Sequence, residues 1–242
     1  MKAKILDIPN RIECRVVKRL NRFVVGIELE QSYHLACINN TGRLEEFLIA
    51  GRKGFCLANE KPGKTEYKLF ALEERGVGAV IDTQLQMRAF EKALELGLIP
   101  WLKGCSMLKR NARLGTSLID YLLECADEKV YLEAKSAVLR DGVHAMYPDC
   151  PSSRGRRHIR ELTEHVKEGG KAGIFFVAAL PYIEAFKPNK AADPELYQLL
   201  VEASQAGVQI RSIGMAYQPE AFGIYLFNPD LRINLFEMEH ES

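Results

Sequence analysis

The chain has 242 residues, 47% hydrophobic and 27% charged, with a formal net charge of +1. That balance fits one large or two ordinary globular domains and excludes a disordered, charge-rich chain or a strongly basic nucleic-acid tail. No stretch approaches the ~20 apolar residues of a membrane span and no signal-peptide run opens the chain, so a cytoplasmic protein without a membrane partner is expected. Cysteines at 14, 37, 56, 105, 125 and 150 show no CxxC and no zinc spacing, and reduced thiols are the expectation.

In chain order, 11–83 reads as short strands at Arg11–Lys18, Phe23–Glu30, Tyr33–Asn39, Gly54–Ala58, Tyr67–Leu72 and Gly78–Asp82. Turn residues at Asn39–Gly42, Gly51–Gly54 and Lys61–Lys64 separate them, and Thr41 is placed to cap a short helix over Arg43–Leu48. Many short strands at this spacing predict a small β-barrel over 1–83, of the oligonucleotide-binding (OB) or the SH3-like kind; periodicity does not separate the two. From residue 84 the pattern changes. Met87, Phe90, Ala93 and Leu94 form a helical face ended by Gly97. A strand near Ser106–Arg113, a hairpin of Leu118–Glu124 and Val130–Val138, and a helix capped at Ser152 or Ser153 follow. Next come a buried strand at Ile174–Ala179, a helix with Asp193 as cap and Pro194 at its first position, and strands at Val208–Tyr217 and Phe222–Phe227. The order α-β-β-β-α-β-α-β-β predicts an α/β domain with a mixed sheet over 84–242, and Glu237–Glu241 reads as a frayed acidic tail.

Chemistry concentrates in the hairpin. Glu133 and Lys135 share one face of the second strand, and a hairpin partner brings Asp120 beside Glu133. Two carboxylates and an ammonium on one face, with the Ala134 carbonyl, suit a hard divalent cation, Mg2+ or Mn2+, held by Asp120 and Glu133 against a scissile phosphate. Lys135 would then orient the attacking water or stabilise the developing charge. The bland reading is a salt-bridged, solvated strand face. The run Tyr147–His158 places Asp149, Arg154, Arg157 and His158 around a helix start, where backbone N–H groups and guanidinium groups offer a phosphate seat. On the barrel, Arg15, Lys18, Arg19 and Arg22 form a basic cluster, with Phe23 and Tyr33 available to stack bases. Solvated surface charge is the ordinary account of any such cluster.

The constellation Asp120…Glu133-Ala134-Lys135 in this element order resembles the PD-(D/E)xK nuclease-like superfamily. The whole chain resembles the sugar fermentation stimulation proteins through Arg19–Phe23, Asn39–Leu44, Gly63–Tyr67, Gly115–Asp120, Tyr131–Lys135 and Tyr147–His158. The resemblance implies an OB-like domain joined to a PD-(D/E)xK-like domain, and a DNA-binding (or RNA-binding) protein with nucleolytic potential, named for an effect on sugar use. Nucleases of this class often act as homodimers. Two positions depart from the family pattern. Asn111 stands where a glutamate is usual, nine residues before Asp120, and Leu118 stands where an arginine is usual. The first removes a candidate metal ligand and the second a phosphate contact. A nucleic-acid-binding regulator on the same scaffold, or an enzyme acting on a phosphorylated metabolite, are the competing readings.

Overall fold

The computed structural model of the protein describes residues 3–61 and 63–236; Pro62 of the Lys61–Lys64 turn and the acidic tail Glu237–Glu241 lie outside them. Contacts gather these residues into two compact units, each discontinuous in sequence. The first holds the chain up to Ala93 together with Ala179–Tyr182 and Gly214–Asn228; the second holds Leu94–Ala178, Ile183–Ile213 and the described residues from Pro229 onward.

The first unit opens with β1 (Ala3–Asp7), β2 (Ile12–Arg19), β3 (Val24–Leu29) and β4 (Ser32–Cys37). It continues with β5 (Lys53–Ala58), β6 (Tyr67–Glu74), β7 (Val77–Val80) and α1 (Thr83–Glu95), the last belonging to this unit as far as Ala93. Strand alternation turns Cys14 and Val16 of β2, and Val25, Ile27 and Leu29 of β3, into the core. Glu30 and Gln31 both take positive φ, 47° and 68°, the pairing that a two-residue hairpin turn requires. The strands run β4-β3-β2-β5-β6, and a parallel pairing of Ala36 with Tyr67 and Cys37 with Lys68 closes them into a barrel. The parallel pair that closes the five strands decides for the OB kind. The helix expected over Arg43–Leu48 does not form. Leu44 takes φ +52°, and the Arg19 guanidinium donates to the carbonyls of Gly42 and Arg43, holding the segment as an irregular loop.

The second unit begins with a short 3-10 turn at Pro100–Leu102, then β8 (Cys105–Leu114), β9 (Ser117–Cys125) and β10 (Glu128–Ser136). Next are β11 (Leu139–Asp141), β12 (His144–Tyr147), α2 (Ser153–Lys167), β13 (Lys171–Ala178) and β14 (Ala185–Pro188). It ends with α3 (Pro194–Ala206), the first half of β15 (Gln209–Gln218) and β17 (Arg232–Ile233), after β16 (Gly223–Asn228). Antiparallel β8, β9 and β10 continue into β13, which runs parallel to β10 after the α2 crossover, so the sheet is mixed as expected. A small second sheet, β11-β12-β14-β17, forms from segments that carry too few alternating residues to read as strands. The expectation of six reduced thiols is corrected. The β8–β9 register sets Cys105 opposite Cys125 and the two form a disulfide, while Cys14, Cys37, Cys56 and Cys150 remain thiols.

The second half of β15 and β16 belong to the first unit: β16 pairs with β1 and with β15, and Tyr217 of β15 pairs with Gly78 of β7. Tyr217 is fully buried and meets Phe55 and Phe70 edge-on at 5.1 and 5.0 Å. Gly78 permits this, because a Cβ there would lie 2.9 Å from the Tyr217 ring. Among the described residues no helix is long and apolar enough to cross a membrane.

Candidate functional site

The β9–β10 hairpin turns on Ala126 and Asp127, both at positive φ (48° and 69°), and its register pairs Leu132 with Tyr121, which sets Glu133 opposite Asp120. The two acids interlock with the backbone. The Asp120 N–H donates to Glu133 Oε2 (3.2 Å), and the Ala134 N–H donates to Asp120 Oδ2 (2.9 Å). Lys135 Nζ lies 2.5 Å from Glu133 Oε1. The strand face is covered rather than solvated, against the bland reading. Glu133 is 2% exposed, because α2 packs over it and sets His158, itself 1% exposed, with Nδ1 2.6 Å from Glu133 Oε1. Arg154 Nε donates to His158 Nε2 (3.3 Å), so Nε2 accepts and Nδ1 carries the hydrogen given to Glu133.

Electrostatics separates the two carboxylates. Burial, together with the negative charge of Glu133, pushes Asp120 up to about 6. Burial alone would raise Glu133 too, but the Lys135 ammonium and the His158 hydrogen bond overcome it and hold Glu133 down to about 2. For Lys135 the burial penalty is outweighed by Glu133, and its pKa is raised. The two carboxylates directly face one ammonium, with the Arg154 guanidinium one group away on His158.

α2 is anchored at both faces. Ser152 caps it by accepting from the Gly155 N–H (3.0 Å), and the peptide Tyr147–Pro148 leading to it is cis. Glu161, one turn beyond His158 on the same face, accepts from the N–H and hydroxyl of Thr116 and from the Ser117 N–H, fixing the β8–β9 turn. Arg157 Nε donates to Ser117 Oγ (3.2 Å). Arg156 and Arg160 bind acids at the start of α3: Asp193, which also accepts from the Ser152 and Leu196 N–H groups, and Glu195.

The structure thus brings together Asp120, Glu133, Lys135, His158 and Arg154, with Arg157 at the β9 start. Asp149 is half-buried in the loop before α2. Arg15, Lys18, Arg19 and Arg22 lie on the barrel. Arg15 donates to the Gly51 carbonyl, Arg22 sits over the exposed Phe23 ring, and Arg19 is taken up by the carbonyls of Asn21, Arg22, Gly42 and Arg43. Asn111 is exposed on β8 at φ +50°. Glu161 and Ser117 are the members that sequence reasoning missed. The one available signal was the spacing of Glu161 from His158, which places both on one helix face. Among the described residues no three His, Cys, Asp or Glu side chains cluster as a metal site.

Residues 84–221 match the family profile described as the sugar fermentation stimulation protein RE domain, and 17–81 match the SfsA N-terminal OB domain. A sugar fermentation stimulation protein homolog of Pyrococcus furiosus is 45% identical over 232 residues, 96% of this chain and 100% of its own length. That of Archaeoglobus fulgidus is 45% identical over 230 residues, covering 95% and 99%. A solved structure, Pyrococcus furiosus SfsA in complex with Ca2+, superposes with a TM-score of 0.92 at 44% identity, covering 96% of this chain and 99% of that one.

Proposed function

The chain belongs to the sugar fermentation stimulation protein family, and from that premise we propose that it is a DNA-binding, metal-dependent phosphodiesterase or nuclease. The observation that carries this reading is the interlocked pair of half-buried Asp120 and buried Glu133, two carboxylates on one strand face with the Lys135 ammonium beside them. Asp120, Glu133 and the Ala134 carbonyl would hold Mg2+ or Mn2+; the relative solved with Ca2+ supports a hard cation in this fold. Such an ion, when bound, polarises a phosphoryl oxygen and lowers the pKa of water. The chain's own residues do the rest. His158 and Lys135 fix the Glu133 carboxylate, Lys135 presents an ammonium to developing negative charge, and Arg154 and Arg157 offer guanidinium groups to a phosphate. Arg15, Lys18 and Arg22, with Phe23 and Tyr33 exposed nearby in sequence, would engage the nucleic-acid backbone and bases.

The test is cleavage of single- and double-stranded DNA and RNA with Mg2+ or Mn2+, wild type against Asp120→Ala. Metal-dependent turnover that the substitution abolishes is the expected result; equal turnover in both proteins would sink the assignment. A second reading, a nucleic-acid binder without turnover, is favoured by Asn111, which supplies no third carboxylate. DNA affinity that falls steeply with salt, without cleavage of any substrate, is the outcome that selects it.

A further inference from the structure

We propose that the second unit carries a separate ligand site, for a small phosphomonoester with a flat apolar body, in a cavity at the starts of β10 and β13. The cavity measures about 510 Å³, inside the ~300–1,000 Å³ typical of small-molecule sites. Trp101, Leu132 and Val166 supply apolar wall, and the Cys105–Cys125 disulfide closes one side. Three cations, Lys103, Lys171 and Arg211, line it against a single acid, Glu128. Lys171 approaches Glu128 only to 3.9 Å, Arg211 leans to Asp230 at 3.5 Å, and Lys103 makes no ion pair among the described residues.

A plainer account would have these cations complement the carbonyl ends of α2 and α3, which terminate here. At each end two of those carbonyls already take backbone donors. Gly169 and Gly170 donate to Val166 and His165, and Gly207 and Val208 donate to Ser204 and Ala203. The positive charge is therefore available to a ligand, and the indole offers a flat surface for its body. The site is distinct from the carboxylate pair. Leu132 points to the face opposite Glu133, and none of Asp120, Glu133, Lys135 or His158 lines the cavity.

The experiment is calorimetry of the full chain with adenosine monophosphate, adenosine and inorganic phosphate, with the fluorescence of Trp101, the single tryptophan, as locator. Adenosine monophosphate should bind and perturb Trp101, with adenosine and phosphate each at least about tenfold weaker. Lys103→Ala with Lys171→Ala, both exposed and so compatible with folding, should weaken binding by about tenfold or more, while Asp120→Ala leaves it unchanged. Absence of binding overturns the proposal. So does binding that survives the double substitution, that phosphate alone matches, or that Asp120→Ala removes. Each of these outcomes is independent of whether DNA is cleaved.

Discussion

At the scale of single residues, Asp120 is the site's most consequential ionisable group. Its folded pKa, about 6, lies above the ordinary aspartate value, so the fold favours its protonated form. The sign follows from linkage: metal-free stability from this group is greatest below the ordinary aspartate range and is lost as pH rises through about 6. Asp120→Asn, which keeps an oxygen for the Ala134 N–H, should therefore stabilise the metal-free protein at pH 7 by roughly 1–3 kcal/mol and have little effect near pH 4. Thermal melts at the two pH values check this. On the proposed reading a proton competes with the cation for the same carboxylate, so affinity for Mn2+, measured by calorimetry, should fall about tenfold per pH unit below about 6 and level off above it. A pH-independent affinity would place the cation elsewhere. His158 acts on Glu133 rather than on solvent, because its buried ring is spent between Arg154 and that carboxylate. Sequence alone showed a histidine beside arginines. It did not show which way the ring turns, since that depends on α2 lying over β10.

At the scale of elements, α2 links the two parts of the site, and its geometry depends on Gly155. A Cβ at this position would lie 2.8 Å from Ser152 Oγ, 2.9 Å from the Tyr147 hydroxyl and 3.2 Å from Leu196. Ala is a better helix former than Gly by about 1 kcal/mol. Gly155→Ala should nevertheless destabilise, by about 1–3 kcal/mol, because three neighbours must move. A rise in the denaturation midpoint would refute this. Asp193 serves α2 and α3 together: it caps α3 through the Leu196 N–H, accepts from the Ser152 N–H and pairs with Arg156. Burial would raise its pKa, but these bonds and the Arg156 charge hold it below the usual carboxylate range, so its contribution is present at neutral pH and is lost on acidification below that range. Asp193→Ala removes a cap and one of the two acids that hold Arg156, leaving Glu195, for an expected loss of about 1–3 kcal/mol in denaturant titrations. The cap was legible from Asp193-Pro194-Glu195; the tie to α2, 41 residues away in sequence, was not.

At the scale of the whole molecule, the chain divides in space differently from its order in sequence. The barrel reads as a local run of strands, yet its unit is completed by Gly214–Asn228, which brings Tyr217 against Phe55 and Phe70. A fragment of residues 1–83 therefore lacks part of its own core and should melt non-cooperatively or far below the full chain. A fragment that unfolds as cooperatively as the intact protein would contradict this. The disulfide belongs to the same scale, because pairing of Cys105 with Cys125 follows from a hairpin register that the cysteine spacing does not announce.

By itself the sequence determined the order of the main elements, the helix caps at Ser152 or Ser153 and at Asp193, the hairpin that sets Asp120 beside Glu133, and the family resemblance. All of these are written in short-range periodicity, in turn residues, or in contiguous motifs. Only the tertiary structure decided the parallel closure that makes the barrel an OB barrel, the loop that replaces a helix after Thr41, the burial of Glu133 beneath His158, and the return of β16 to the first unit. Each of these depends on which surface covers which, a property of residues far apart in the chain that no local pattern encodes.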